Sequence, residues 1–219
     1  MSDPGPRPDL SRGHIEVICG PMFSGKTEEL IRRLRRAQIA RQAVLVVKPK
    51  IDVRYDASDV VSHSSLRLPS VPLERSDEIE PALRETGQRV SVVGVDEAQF
   101  FDDGLVDVVE RLANRGVRVV VAGLDQDYLG RPFGPMPRLL CSAEMITKQL
   151  SVCMVCGSPA SKSQRVHPDA AKLSRAGPST TEQVLVGGGD AYEARCRSCY
   201  VQGIDVPSRA PPHAEGGPR

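Results

Sequence analysis

Gly20, Gly25, Lys26 and Thr27 stand in the order G-x-x-x-x-G-K-[ST]. A loop of that spacing wraps nucleotide phosphates in backbone amides, with the lysine as a point charge and the hydroxyl as a Mg²⁺ ligand. Its filling is unusual. Pro21, Met22, Phe23 and Ser24 occupy the turn, and two of them are large and apolar. A second pattern, "VVGVDEAQFF", ends an apolar run in Asp96 and Glu97. A phosphate loop needs an acid for its metal at the end of a neighbouring strand, and Asp96 holds that place. Where the chain bends, both carboxylates can face the nucleotide, one holding Mg²⁺ and the other accepting a proton. The proton comes from an acceptor hydroxyl in a kinase and from water in an ATPase. By residue type alone, Glu97 is also open to being a surface acid or a helix cap. A third pattern joins Cys153, Cys156, Cys196 and Cys199, two C-x-x-C pairs with 39 residues between them. Four thiolates close a tetrahedral Zn²⁺ site and leave no open position, so the metal is structural. Redox chemistry or chance pairing is the alternative. Cys19 and Cys141 remain as buried apolar thiols, and the four histidines are isolated.

These groups need elements to position them. "HIEVIC" (14–19) reads as a strand running into the glycine loop. The helix after it carries Leu30, Ile31, Leu34 and Ala37 on one face. Glu28–Arg32 and Glu29–Arg33 are expected i,i+4 pairs, and the arginines of the helix read as a solvated face balanced by acids elsewhere. "AVLVVK" (43–48), "VSVVGVD" (90–96) and "VRVVVAGLD" (117–125) are continuously apolar and β-branched, as strands covered on both faces are. A helical "GLVDVVERLANRG" lies between the last two, and "MITKQL" (145–150) is a candidate final strand. Alternating strands and helices predict an α/β fold with a parallel sheet. The character changes at Ser151, where the cysteines bracket a long aperiodic stretch. The expected organisation is a disordered 1–12, a nucleotide-binding domain over 13–150, a zinc-binding domain over 151–206 and a disordered tail over 207–219.

With 219 residues, 40% hydrophobic and 26% charged, the chain has the composition of a globular protein. A net charge of +1 makes no case for nucleic acid. No apolar run approaches the roughly 20 residues that span a bilayer, and the polar N-terminus has no signal-peptide core. The expectation is a cytoplasmic protein with no membrane partner, its cysteines reduced.

"GPMFSGKTEEL", "DEAQFF", "RPFG", "CMVCG" and "VGGGDAYEARCRSCY", in that order, resemble the zinc-containing type of the thymidine kinase family found in animals and bacteria. The resemblance runs from about residue 13 to 201. It implies a RecA-like P-loop sheet with helices on both faces, plus a small zinc ribbon carrying a lid, the lasso. It implies ATP-dependent phosphorylation of thymidine, and of deoxyuridine, at the 5′-hydroxyl, with Mg²⁺ and structural Zn²⁺, by a homotetramer. Residues 20–27 with Asp96, Glu97, Ala98 and Gln99 would contact the nucleotide, and Glu97 would be the base. Asp52 and Arg54 fall on a family pair near the transferred phosphate; as residues alone, Arg54 is either a charge stabiliser or a solvated loop arginine. Met22, Leu124, Tyr128 and Phe133 would line the base pocket, with Tyr128 stacking where relatives carry Phe. Phe100 and Phe101 are either wall or core. Gln183, Val184, Leu185, Val186 and Gly187 would hold the pyrimidine edge by main chain, and Tyr192 would contact sugar or base. The resemblance leaves Arg165 without a role. A P-loop ATPase acting on DNA is the competing reading, and a GTPase switch is weakened by the lack of an N-K-x-D signature.

Overall fold

A computed structural model describes residues 13–50, 59–61, 67–167, 191–202 and 206–207. Asp52, Arg54 and Gln183 to Gly187 lie outside the described residues, as do 1–12 and 208–219.

Six parallel strands form the central sheet. They are β1 (His14–Cys19), β2 (Val44–Pro49), β5 (Val71–Leu73), β6 (Val92–Val95), β7 (Arg118–Gly123) and β8 (Met145–Lys148), in the spatial order β5-β2-β6-β7-β1-β8. A short hairpin, β3 (Asp59–Val61) with β4 (Arg67–Pro69), forms a separate ladder, and Leu68 of β4 joins the apolar core of the sheet. Side chains alternate along β1, and so the core divides. Ile15, Val17 and Cys19 face α2 (Ile79–Glu85), α3 (Leu105–Asn114) and α4 (Met136–Ser142), whereas Ile18 lies on the face covered by α1 (Lys26–Ile39), in a cluster that Leu68 of β4 joins. The expected stripe on α1 is the buried one: Leu30, Ile31 and Leu34 are fully enclosed and Ala37 nearly so. Each large side chain in that stripe contributes about 1.5–3 kcal/mol of burial. Gly94 makes the contact possible, because a Cβ there would lie 2.4 Å from Leu34 Cδ1.

The polar surface of α1 differs from expectation. Arg32 pairs with Glu29 at 2.6 Å, not with Glu28. Glu29 sits within reach of both Arg32 and Arg33, and Glu28 turns back toward Gly25. Arg33 is no solvated residue either. It reaches the sheet and binds Glu16 at 2.7 Å, and Arg118 binds the same carboxylate at 2.6 Å. Glu16 shares the α1 side of the sheet with Ile18, and a charge buried there requires partners.

Beyond β8 the chain enters small antiparallel pairs: β9 (Ser151–Val152) with β10 (Pro159–Ala160), and β11 (Lys162–His167) with β12 (Tyr192–Arg195). β13 (Val206–Pro207) runs parallel to β11. Among the described residues no helix is long and apolar enough to cross a membrane.

Candidate active site

The loops that follow β1, β6, β7 and β8 all leave the carboxyl ends of parallel strands, where ligands of open α/β sheets bind. Two glycines shape the first loop. Gly20 has φ 144 and Gly25 has φ 80, both in the region closed to most side chains, and Gly25 caps α1 without a side-chain bond. The first amides of α1 therefore open toward the loop, an arrangement that attracts phosphate. Lys26 Nζ bridges the loop by donating to the Pro21 carbonyl at 2.7 Å, and Ser24 Oγ donates to the same oxygen at 2.8 Å. Burial lowers the Lys26 pKa from its usual value, while Glu97, Asp96 and Asp125 oppose the shift.

At its bulky filling the main chain of the loop is bonded to the cysteine module. The Met22 amide donates to Ser163 Oγ at 3.0 Å, and the Phe23 carbonyl accepts from Ser151 Oγ at 3.0 Å. Phe23, at φ 61, is exposed, and Met22 is half-buried.

At the end of β6, Thr27 Oγ1 donates to Asp96 Oδ1 at 3.3 Å, bringing the two expected metal contacts together. Asp96 is buried, and this together with the neighbouring Glu97 charge raises its pKa to about 7 despite the help of Lys26 and Thr27. Glu97 is exposed although Asp96, Ala98 and Gln99 around it are buried. Its backbone is left-handed, φ 49 and ψ 41, at the head of the 3₁₀ turn Ala98–Phe100. That conformation is uncommon for a residue with a long side chain, and such strain clusters at functional sites. The two carboxylates are not turned the same way, as a bend that aims both at the nucleotide would have it: Asp96 is turned inward and Glu97 outward. Gln99 Nε2 donates to Glu97 Oε2 at 2.5 Å.

The expected pocket residues are partly gathered. Leu124 is half-buried, and its amide donates to Gln99 Oε1 at 2.9 Å. Phe133 is buried and meets Phe100 edge-on at 5.5 Å between ring centres; Phe101 belongs to the core behind α3. Tyr128 is buried, with the Arg165 guanidinium 4.0 Å over its ring. Tyr192 lies opposite Arg165 in the β11–β12 ladder, so Tyr128, Arg165 and Tyr192 form one group.

Two features escaped the sequence reading. Asp125, buried beyond the end of β7, takes the Lys148 ammonium at 2.6 Å and contributes to raising the Cys19 thiol pKa, after burial itself; Cys19 is buried as expected, whereas Cys141, near the end of α4, is exposed. Its signal was available, since "VVVAGLD" repeats the strand-then-acid pattern of "VVGVD". Ser151 and Ser163 carried no signal, for nothing local marks a hydroxyl that serves a loop more than a hundred residues away.

The four cysteine sulfurs lie within 4.8 Å of one another, with Cys156 and Cys196 at 3.7 Å. A tetrahedral Zn²⁺ with bonds of about 2.3 Å separates its sulfurs by roughly 3.8 Å, so the donor set fits that ion. Two turns present the sulfurs: Gly157 donates its amide to the Cys153 carbonyl, and the amides of Cys199 and Tyr200 converge on the Cys196 carbonyl.

A parallel sheet with a glycine loop, a lysine and two adjacent acids at its carboxyl edge, joined to a four-cysteine ribbon, defines a P-loop α/β protein with a zinc-type appendage. The thymidine kinase family model matches residues 13–200. The chain is 53% identical over 190 residues to a thymidine kinase of Rhodothermus sp. (strain ITI 518), covering 87% of this chain and 82% of that one. It is 51% identical over 191 residues to a thymidine kinase of Bacteroides thetaiotaomicron, covering 87% and 88%. The chain belongs to the thymidine kinase family, and it is an enzyme.

Proposed function

We propose that the enzyme transfers the γ-phosphoryl group of ATP to the 5′-hydroxyl of thymidine, and of deoxyuridine, in cytoplasmic salvage of pyrimidine deoxynucleotides. The observation that carries this reading is the exposed Glu97 carboxylate beside the buried Asp96–Thr27 pair and Lys26. Glu97 accepts the hydroxyl proton as O5′ bonds to the γ-phosphorus and the bridging P–O bond breaks, leaving ADP. The loop amides and Lys26 hold the phosphates, and Thr27 and Asp96 would hold Mg²⁺, which supplies positive charge to the β- and γ-oxygens. Arg54 and Asp52 would serve the transferred group. Met22, Leu124, Phe133, Tyr128 and Tyr192 would enclose the base, with main chain of 183–187 reading its edge. The four cysteines would bind structural Zn²⁺ at the roots of the lid. Names of the relatives support the nucleoside, and the family resemblance supports a homotetramer.

The test is product formation. Purified enzyme with ATP, Mg²⁺ and thymidine should yield thymidine monophosphate. ATP hydrolysis stimulated by single-stranded DNA, with no monophosphate formed, would favour the DNA-dependent ATPase instead.

A further inference from the structure

We propose that Gln99 is the positioning residue of Glu97, an inference that rests on Glu97 acting as the base. Gln99 is 2% exposed, and both polar ends of its side chain are engaged. The orientation of the amide is fixed by chemistry. The Leu124 main-chain N–H can only donate, so the group facing it at 2.9 Å must be Oε1. Nε2 then faces Glu97 Oε2 at 2.5 Å. A donor there takes one carboxylate oxygen out of circulation and leaves Oε1 of Glu97 for the substrate hydroxyl. Nothing in the left-handed turn itself holds the carboxylate, because the exposed side chain projects from a 3₁₀ cap made by backbone alone.

The surroundings hold Gln99 as firmly as Gln99 holds Glu97. A Cβ at Gly123 would lie 2.8 Å from Gln99 Oε1 and 2.7 Å from Met136 Sδ, so the absence of one lets the end of β7 close on the amide. Gly134 approaches the Gln99 carbonyl in the same way, with a notional Cβ 2.3 Å from it. The amide thus spans two strand ends, tying the main chain at Leu124 to the base at the end of β6. This part differs from the nucleotide contact suggested for Gln99 by sequence, since its side chain is turned into protein.

The experiment is a double-mutant cycle in the full-length enzyme, with thymidine monophosphate as the readout. Gln99→Met keeps the volume and removes the donor. Its kcat should fall about tenfold to a hundredfold, the range for losing a hydrogen bond to a charged group, with the KM for thymidine within about threefold of wild type. Gln99→Glu keeps an acceptor for Leu124 but sets a second carboxyl against Glu97, so the two share one proton and Glu97 becomes a poorer base; its kcat should fall at least as far, with the KM for thymidine again within about threefold, even if the methionine variant folds poorly. In a Glu97→Gln background, Gln99→Met should add almost nothing, because its effect acts through Glu97. An unchanged kcat, or a loss that adds in full to that of Glu97→Gln, would overturn the proposal. Failure of the wild-type enzyme to make thymidine monophosphate would instead overturn the functional reading, and the two failures are distinct.

Discussion

The sheet and the cysteine module reach stability by different means. Among the described residues the sheet buries two apolar clusters, one of 22 residues beneath three helices and one of 10 beneath α1. The module buries a cluster of four, and two of those are Cys153 and Cys196. The first can exclude water with its own side chains. The second is small for a core built on hydrophobic burial alone, and a metal held by its four cysteines would supply what that core lacks. On the proposed reading, strand ends within the larger core would carry the chemistry, while the module would lend residues to the substrate and need an ion to hold its shape.

Removing zinc gives the largest expected effect. Structural sites of this donor set supply about 10–16 kcal/mol of apparent binding energy, more than a four-residue core can replace. Chelation, or Cys196→Ser, should expose residues 151–202 to proteolysis while the helical circular dichroism of the sheet domain persists. A module that stays protected without metal would erase the contrast between the two regions.

Glu97→Gln comes next and should leave both regions folded. The expected loss is about 10²–10⁴ in kcat, the usual value of general-base assistance, with thymidine affinity retained in a binding assay. Unchanged turnover would remove Glu97 from the chemistry and move the reactive centre away from the carboxyl edge of β6.

How much of this could be read from sequence follows the same division. β1, β2, β6 and β7 were legible because each is a β-branched run ending in glycine, lysine or acid, and α1 and α3 because their apolar stripes are regular. The seven-residue helices α2 and α4 were missed. Each carries an internal proline, Pro81 or Pro137, that reads as a break although proline is tolerated in a first turn. The two-residue strands of the module have no period at all, since turns around cysteines set them. In the site, residue types were legible and conformations were not. Nothing in a glutamate announces φ 49, and nothing in "DEAQFF" says that the glutamine clasps the glutamate two positions earlier. The buried Glu16 was likewise hidden in "HIEVIC", where it interrupts an apolar strand without its partners in view.

Glu16 gives a test confined to the sheet. Burial alone would raise its pKa, but the hydrogen bond and charge of Arg118, with hydrogen bonds from His14 and Arg33, outweigh this and hold it below the usual value. A carboxylate with a depressed folded-state pKa stabilises the protein above the unfolded value, and that stabilisation is lost as pH falls through the folded one. Thermal melts of the wild type should therefore decline below about pH 4, within the range where glutamates titrate. Glu16→Gln takes the carboxylate from Arg118 and leaves Arg33 with Glu29, and should cost about 3 kcal/mol at neutral pH, with a shallower acid limb. Equal melting temperatures at neutral pH would mean that solvent screens the cluster despite its 2% exposure.

The smallest effect tests the joint between the regions. Ser163 comes from the module, is buried, and accepts the Met22 amide of the phosphate loop. Ser163→Ala leaves that N–H without its partner, a loss of about 1 kcal/mol, or roughly fivefold in an equilibrium constant. If the module braces the loop, the loss should appear as a severalfold rise in the KM for ATP with kcat nearly unchanged, and Ser163→Thr, which keeps the hydroxyl, should restore it. Zinc removal should then weaken ATP binding at least as much, because it disorders the strand that presents the serine. A Ser163→Ala enzyme with wild-type ATP affinity would show that the loop holds its shape alone, through Lys26, Ser24 and the two glycines. The bulky Met22 and Phe23 would then be left to the nucleoside side of the site.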